Sequence, residues 1–377
     1  MGSWDLIRSQ QPARSIIVSQ RASRPLTWLC LGYEFEDLMA QLEPADIASV
    51  KPAPGAQLAR LGTKLVERYS QGKYTLTPSF RAGGAQYELA FVHCGIVADL
   101  LTMGRQRDFS NIAKISVCYI SELWASQLPL KTEFLHRLQC FDAVFIGCAG
   151  PVEELSKQIG RPCYYLPPAV DALASCPYPD LAGRCIDFLS VGRRPEQIHR
   201  SLLAHSQTDQ LFFYLRDTVR GLAKAEVVTT QDHRQQLLSF LKRSKYFLAN
   251  RPKFDQPLGA NDHEVGYRFF EGAAAGCVMI GDAPRNQAFD ALFGWPDVVI
   301  PNPEDPSKII DLYRELESDP ERVARIRQRN VVESLRRHDW AYRWQTLLDT
   351  VGLAPTDALT QRLEQLASLA DSVEQQG

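Results

Sequence analysis

The sequence predicts an α/β protein built from two Rossmann-like, doubly wound domains facing a central cleft. Three observations carry this. Short apolar runs alternate with amphipathic helical segments in both halves, a proline-dense stretch divides the halves, and 377 residues suffice for two sizeable cores. Strands alternating with helices build a parallel sheet covered on both faces, and such sheets bind ligands beyond the C-terminal ends of their strands.

In the first half, the runs Leu26–Gly32, Tyr87–Cys94, Ile115–Ile120, Ala143–Ile146 and Cys163–Leu166 read as buried strands. Leu58–Tyr69, Leu130–Gln139 and Pro151–Ile159 carry helical periodicity. Residues 1–170 then form the first domain. Pro167, Pro168, Pro177 and Pro179 end regular structure up to Gly183, so residues 171–184 read as a linker. A second series follows: Ile186–Val191, Leu211–Leu215, Glu226–Thr229, Tyr246–Ala249, Val278–Ile280 and Val298–Ile300. It places a second domain at 185–339. Beyond about Asp319 the pattern is helical. Trp340, Trp344 and Leu347 share one face, and Leu359, Leu363, Leu366 and Leu369 form another stripe. The helical end, 340–377, is expected to pack back on the first domain.

Composition narrows the function. Hydrophobic residues make up 45% and charged residues 23% of the chain, ordinary values for a globular protein. A net charge of −2 argues against broad binding to nucleic acid, so no nucleic-acid partner is expected. The nine cysteines occur singly with no Cys-x-x-Cys pair, which suits reduced core thiols rather than zinc or disulfides. No stretch approaches the ~20 apolar residues of a membrane span. The start of the chain lacks the apolar core of a signal peptide, and a cytoplasmic location is the expectation. Arg8, Arg14, Arg21 and Arg24 admit peripheral contact with an anionic membrane surface.

The most informative stretch runs from His263 to Asp282. It reads as a short helix with acids at its start and middle, a glycine stop and a buried strand. Seven residues apart on a helix, Glu264 and Glu271 would share a face with a rise of roughly 10.5 Å, enough for one carboxylate to meet a sugar ring and the other a ribose. His263-Glu264 is not a zinc-protease helix, because Tyr267 stands where the second histidine belongs. There is no Walker loop, no Gly-x-Gly-x-x-Gly and no Asp-x-Asp pair, so no metal is expected.

Charge on a diphosphate can be met without a metal by helix N-termini and arginines. Gly192, Arg193 and Arg194 follow a strand and lead towards a helix, the place for a phosphate contact. Arg200, Arg251 and Lys253 are further candidates. Arg268 either pairs with Glu271 on the helix surface or reaches phosphate or sugar. The small residues Gly272 to Gly276 serve close ligand approach or tight helix–sheet packing. In the first half, Ser121, Glu122 and Trp124 follow a strand. Glu122 either orients an acceptor or simply opens a helix. His93 and Gly32 are weaker candidates. Glu34, Glu36 and Asp37 read as solvated loop acids.

Four segments carry a family resemblance. "RFFEGAAAGCVMIGD" (Arg268–Asp282) resembles the C-domain signature of GT-B glycosyltransferases of family four, the glycosyltransferases group one set, in particular their spore-maturation-protein-like branch. "FDAVFIGCAGPVEELSKQIGRPCYYLPPAVD" (Phe141–Asp171) resembles the passage into that family's interdomain linker. "IDFLSVGRR" (Ile186–Arg194) is similar to its first C-domain strand and phosphate loop, and "HDWAYRWQTLL" (His338–Leu348) to the branch's closing helix.

The resemblance implies a nucleotide-sugar donor held mainly by the C-domain and an acceptor held mainly by the N-domain. It also implies metal-independent transfer, usually with retention, and no cofactor beyond the donor. By match to the signature, Glu271 would bond the donor ribose and the earlier acid would face the transferred sugar. The usual gap between the acids is seven residues. Glu264 leaves six and strict spacing lands on His263, so that role stays open between the two. The expected function is transfer of a sugar from a nucleotide-diphosphate sugar to a glycan, lipid, protein or small-molecule acceptor. The alternatives are a GT-B sugar-nucleotide epimerase and a non-catalytic nucleotide-sugar-binding protein.

Overall fold

The computed structural model describes residues 4–51, 62, 65, 66, 69, 70, 80, 86–103, 106–180, 183–208, 211–217, 226–259 and 262–376. The helix expected at Leu58–Tyr69 lies largely outside them. Internal contacts group the chain into two units, Met1–Pro167 with Arg343–Thr360, and Pro168–Tyr342 with Gln361–Gly377.

The first unit is built on a seven-stranded sheet. Its strands are β1 (Trp4–Ile7), β2 (Ser15–Ser19), β3 (Ala45–Val50), β4 (Tyr87–Ile96), β5 (Ala113–Glu122), β6 (Ala143–Ile146) and β7 (Cys163–Tyr165). Their order is β1-β3-β2-β4-β5-β6-β7, and all pairs are parallel except β1 with β3. Helices cover both faces, so the central strands are apolar on both sides. Leu89, Ala90, Phe91 and Val92 are fully buried. The order reverses between β2 and β4, which marks the switch point where open α/β sheets take ligands.

Leu26–Gly32 is not a strand. It forms a 3-10 turn, Thr27–Leu29, running into helix α1 (Cys30–Leu42). A short continuous apolar run has no period that separates a buried helix from a buried strand. Glu34, Glu36 and Asp37 therefore lie on a helix, and Glu36 is fully buried. Helices α2 (Gln106–Ser110), α3 (Thr132–Leu138) and α4 (Val152–Ile159) follow. Gly160, at φ +62°, ends α4 in the left-handed conformation that glycine adopts without strain.

Each of the four N-terminal arginines pairs with an acid of the first unit. Arg8 pairs with Asp46, Arg14 with Glu88, Arg21 with Glu36 and Asp37, and Arg24 with Asp99. They balance acids of their own unit. No helix of the described residues is long and apolar enough to cross a membrane.

The second unit opens with the short helix α5 (Ala172–Ser175) and has a five-stranded, all-parallel sheet. Its strands are β8 (Ile186–Gly192), β9 (Phe213–Asp217), β10 (Ser244–Leu248), β11 (Val278–Gly281) and β12 (Val299–Pro301), in the order β12-β11-β10-β8-β9. Here the switch point lies between β8 and β10. Helices α6 (Glu196–Thr208), α7 (Thr230–Lys242), α8 (Tyr267–Ala274), α9 (Gln287–Phe293), α10 (Ile309–Glu317) and α11 (Pro320–Arg337) fill the connections. The expected strand Glu226–Thr229 is absent. Val228 is fully exposed, and Thr229 caps α7 by accepting from the Asp232 N–H at 3.1 Å.

Two helices, α12 (Trp340–Val351) and α13 (Asp357–Glu374), close the chain. Trp340, Trp344 and Leu347 are buried as their spacing demands, and Trp344 meets Phe91 edge-on at 5.8 Å. On α13 the buried stripe is Leu359, Leu366, Ala370 and Val373. Arg362 from this helix clamps Asp171 and Asp339, both at 2.7 Å. All nine cysteines are free, and six are buried.

Candidate functional site

The second unit gathers the cationic groups at the C-terminal ends of β8 and β10. β8 ends at Gly192, whose φ of +79° turns the chain sharply before α6. A Cβ there would lie 2.2 Å from Nη2 of Arg268, so a side chain at 192 and the guanidinium cannot occupy the same place. Arg268 sits in the first turn of α8. It makes no hydrogen bond or ion pair among the described residues. Burial pulls its guanidinium down to about 10, Glu271 opposing and Arg193 adding to the shift, so it stays cationic at neutral pH.

Around this pair, Arg193 bonds Asp255 at 2.8 Å and is half exposed. Arg251, after β10, bonds Asp282 at 2.9 Å through Nε, while its Nη1 is buried with no hydrogen-bond partner among the described residues. Lys253 occupies a left-handed turn position, φ +53°, in the same connection. Arg200 stands apart. It lies on the exposed face of α6, paired with Glu196 one turn earlier, and does not join the group.

The two acids of the signature do not share a helix. α8 begins at Tyr267 with Gly266 as its N-cap, leaving His263 and Glu264 in the preceding irregular segment. The two-turn rise expected between Glu264 and Glu271 is therefore not realised. Glycine at 266 and the extended backbone there end the helical path. Glu264 is buried and His263 half-buried, its carbonyl accepting from Nδ2 of Asn286. Glu271 is buried and ion-paired with Arg234 of α7, not with Arg268. Arg234 was not legible in the sequence, because the partners are 37 residues apart.

Gly272 faces the sheet. A Cβ would come within 2.8 Å of Met279 Sδ and of Phe247, so its smallness serves helix–sheet packing rather than donor contact.

At the switch point of the first unit lies a buried polar cluster. His93 near the end of β4 bonds Glu36 through Nδ1 at 2.7 Å and Ser121 through Nε2 at 2.8 Å. Ser19 at the end of β2 donates to Glu36 at 2.6 Å, and Arg21 pairs with the same carboxylate. Full burial pushes the Glu36 carboxyl up, but Arg21, His93 and Ser19 outweigh it and hold it below the ordinary glutamate range. Gly32 packs against the imidazole, with a Cβ 2.2 Å from Cε1. With Nδ1 donating to Glu36, Nε2 accepts the Ser121 hydroxyl proton, so the three groups form a proton path. Glu122, beside Ser121, instead accepts from Trp124 Nε1 at 2.5 Å. The reading of Glu36 as a solvated acid is thus corrected; the helix places it inside.

Comparison with known proteins bears on both units. Residues 200–349 match the family model described as glycosyl transferase-like. No curated relative matches the chain by sequence. Among solved structures, the chain is similar to an α-glucosyltransferase in complex with UDP and a 13-mer DNA containing an HMU base. The TM-score is 0.55 at 12% identity, over 90% of this chain and 99% of that one. It is also similar to Anabaena HepE in complex with UDP-glucose, with a TM-score of 0.53 at 13% identity, over 90% and 99% of the two chains.

The first of these overturns the exclusion of nucleic acid. Net charge sums the whole surface, whereas DNA engages a local patch, so a balance of −2 does not rule out such a partner. Residues 200–349 thus form a glycosyl transferase-like domain by that match, and the chain has the GT-B fold of the solved structures it resembles.

Proposed function

We propose that the protein transfers a sugar from a nucleotide-diphosphate sugar held by the second unit to an acceptor engaged by the first. The observation that supports this most is the meeting of Gly192 and Arg268 at the switch point of the second sheet. A left-handed glycine lets backbone N–H groups approach a phosphate, and Arg268 stands where the diphosphate would lie. Arg193, Arg251 and Lys253 lie in the loops around the same strand ends. Together these cations stabilise charge on the leaving diphosphate without a metal or other cofactor. Uridine is the first base to test, since two proteins of this fold are held with UDP or UDP-glucose.

In this reading Glu271, oriented by Arg234, receives the ribose hydroxyls. Glu264 or His263, in the segment ahead of α8, meets the transferred sugar. On the acceptor side, the Ser121–His93–Glu36 path orients the attacking hydroxyl and accepts its proton. The acceptor oxygen bonds the anomeric carbon while the bond from that carbon to the phosphate oxygen breaks, and its electron pair leaves with the nucleoside diphosphate. The resemblance favours retention at that carbon. Acceptor classes to screen are glycans, lipids, proteins, small molecules and nucleic acid.

Calorimetry with uridine, guanosine, adenosine and thymidine diphosphates, followed by their sugars, tests the reading. One base should bind far more tightly than the rest, with Arg268→Gln weakening it. Equal, weak binding of all four would refute it. Incubation with the donor alone separates an epimerase, which converts it, from a transferase. Tight donor binding with no turnover on any acceptor class would identify a binding protein.

A further inference from the structure

The second sheet has another cationic site, at the opposite ends of its strands. A cavity of about 490 Å³ is lined by Arg184, Arg327, Lys245, Glu317, Tyr178, Leu316 and Val323, among others. Arg184 precedes β8 and Lys245 is the second residue of β10, so the cavity lies at the N-terminal strand ends. With strands of this length it is roughly 15–20 Å from the Gly192 turn.

The charges there are unevenly matched. Lys245 is answered by Asp187 at 2.8 Å and Glu317 at 3.7 Å, and Glu317 also accepts from the Tyr246 hydroxyl at 2.7 Å. Arg184 spends its donors on the carbonyls of Leu241, Ser244 and Ala275, which carry no formal charge. Arg327 has no ion pair among the described residues, and its Nε and Nη2 are buried with no hydrogen-bond partner among them. Two guanidiniums thus face one cavity; the carboxylate that lines it, Glu317, attracts Arg327 from a distance but is engaged by Lys245 and Tyr246, and neither guanidinium has an ion pair among the described residues. Burial and then the neighbouring Arg184 pull the Arg327 guanidinium below its ordinary value. Like charges held together with unspent N–H donors suit a doubly charged oxyanion bound by a planar fork.

We infer that this cavity binds a small phosphate-bearing molecule, its phosphate between Arg184 and Arg327 and its body against Tyr178, Leu316 and Val323. The volume suits a ligand of nucleotide or sugar-phosphate size. Tyr178 belongs to the proline-rich segment leading into β8, so a bound molecule would tie that segment to α10 and α11. The site is independent of the donor reading above and stands or falls without it.

Equilibrium dialysis of the full chain with labelled orthophosphate tests the inference. A saturable site should survive Arg268→Gln and weaken at least tenfold in Arg327→Gln, with a smaller loss in Arg327→Lys, which keeps the charge but not the fork. No saturable binding, binding unchanged in Arg327→Gln, or binding lost only in Arg268→Gln would overturn it. Should Arg327→Gln not fold, wild-type crystals soaked in tungstate decide. The anomalous peak belongs between Arg184 and Arg327, and its appearance only elsewhere refutes the site.

Discussion

Replacing Gly192 with alanine tests the donor site most directly, because two separate costs can be worked from its geometry. At φ +79° an L-residue is strained by about 1–2 kcal/mol, which falls on folding stability. The new Cβ also lands 2.2 Å from Arg268 Nη2, a flexible end that must move away. If that guanidinium bonds the donor phosphate, its displacement forfeits a charged hydrogen bond of about 1.5–3 kcal/mol. That is roughly a 10- to 150-fold loss of affinity.

Arg268→Gln should lose the same amount outright. The double variant should then bind little worse than Arg268→Gln alone, since both changes remove one contact. Isothermal titration with UDP on the four proteins measures the cycle, and urea unfolding measures the strain separately. Losses that simply add, or a Gly192→Ala protein with wild-type affinity and only a lowered urea midpoint, would refute the assignment of Arg268 to the phosphate.

Other outcomes follow from the same geometry. Glu271→Ala leaves Arg234 buried without its carboxylate and should cost about 3–5 kcal/mol in urea unfolding besides weakening donor binding. Adding Arg234→Met should restore stability but not affinity; failure to restore stability would mean the pair is not the cause. Ser121→Ala should lower kcat while donor affinity holds, and a fall in donor affinity instead would remove the acceptor-side role. Glu264→Gln and His263→Ala separate the sugar-facing group, since only the true one should cut turnover more than affinity.

The depressed Glu36 carboxyl gives a pH test. A carboxyl whose folded value lies below its unfolded one adds stability above the ordinary glutamate range, and loses it as pH falls through the folded value. The stability gap between wild type and Glu36→Gln should therefore shrink as pH falls from about 7 to 3. A constant gap across that range would contradict the assignment.

Elements whose cause is local could be read along the chain. Ala143–Ile146 announces a strand by its short continuous apolar run, α4 ends at Gly160 because glycine tolerates positive φ, and the 4-3 spacing of Trp340, Trp344 and Leu347 buries one helix face. The family signature at Arg268–Asp282 was legible for the same reason, being continuous in the chain.

Features that depend on distant partners emerged with the folded arrangement alone. Leu26–Gly32 became helix through burial, which its unpatterned apolar run could not announce. Glu36 became an internal carboxylate because α1 turns it towards His93 and Arg21, 57 and 15 residues away. Glu271 chose Arg234 over the nearer Arg268, and Arg268 went to Gly192, because the sheet order sets β8 beside β10 and its neighbouring helices. Pairings of this kind are fixed by which strands lie side by side, and that is information no local pattern in a chain contains.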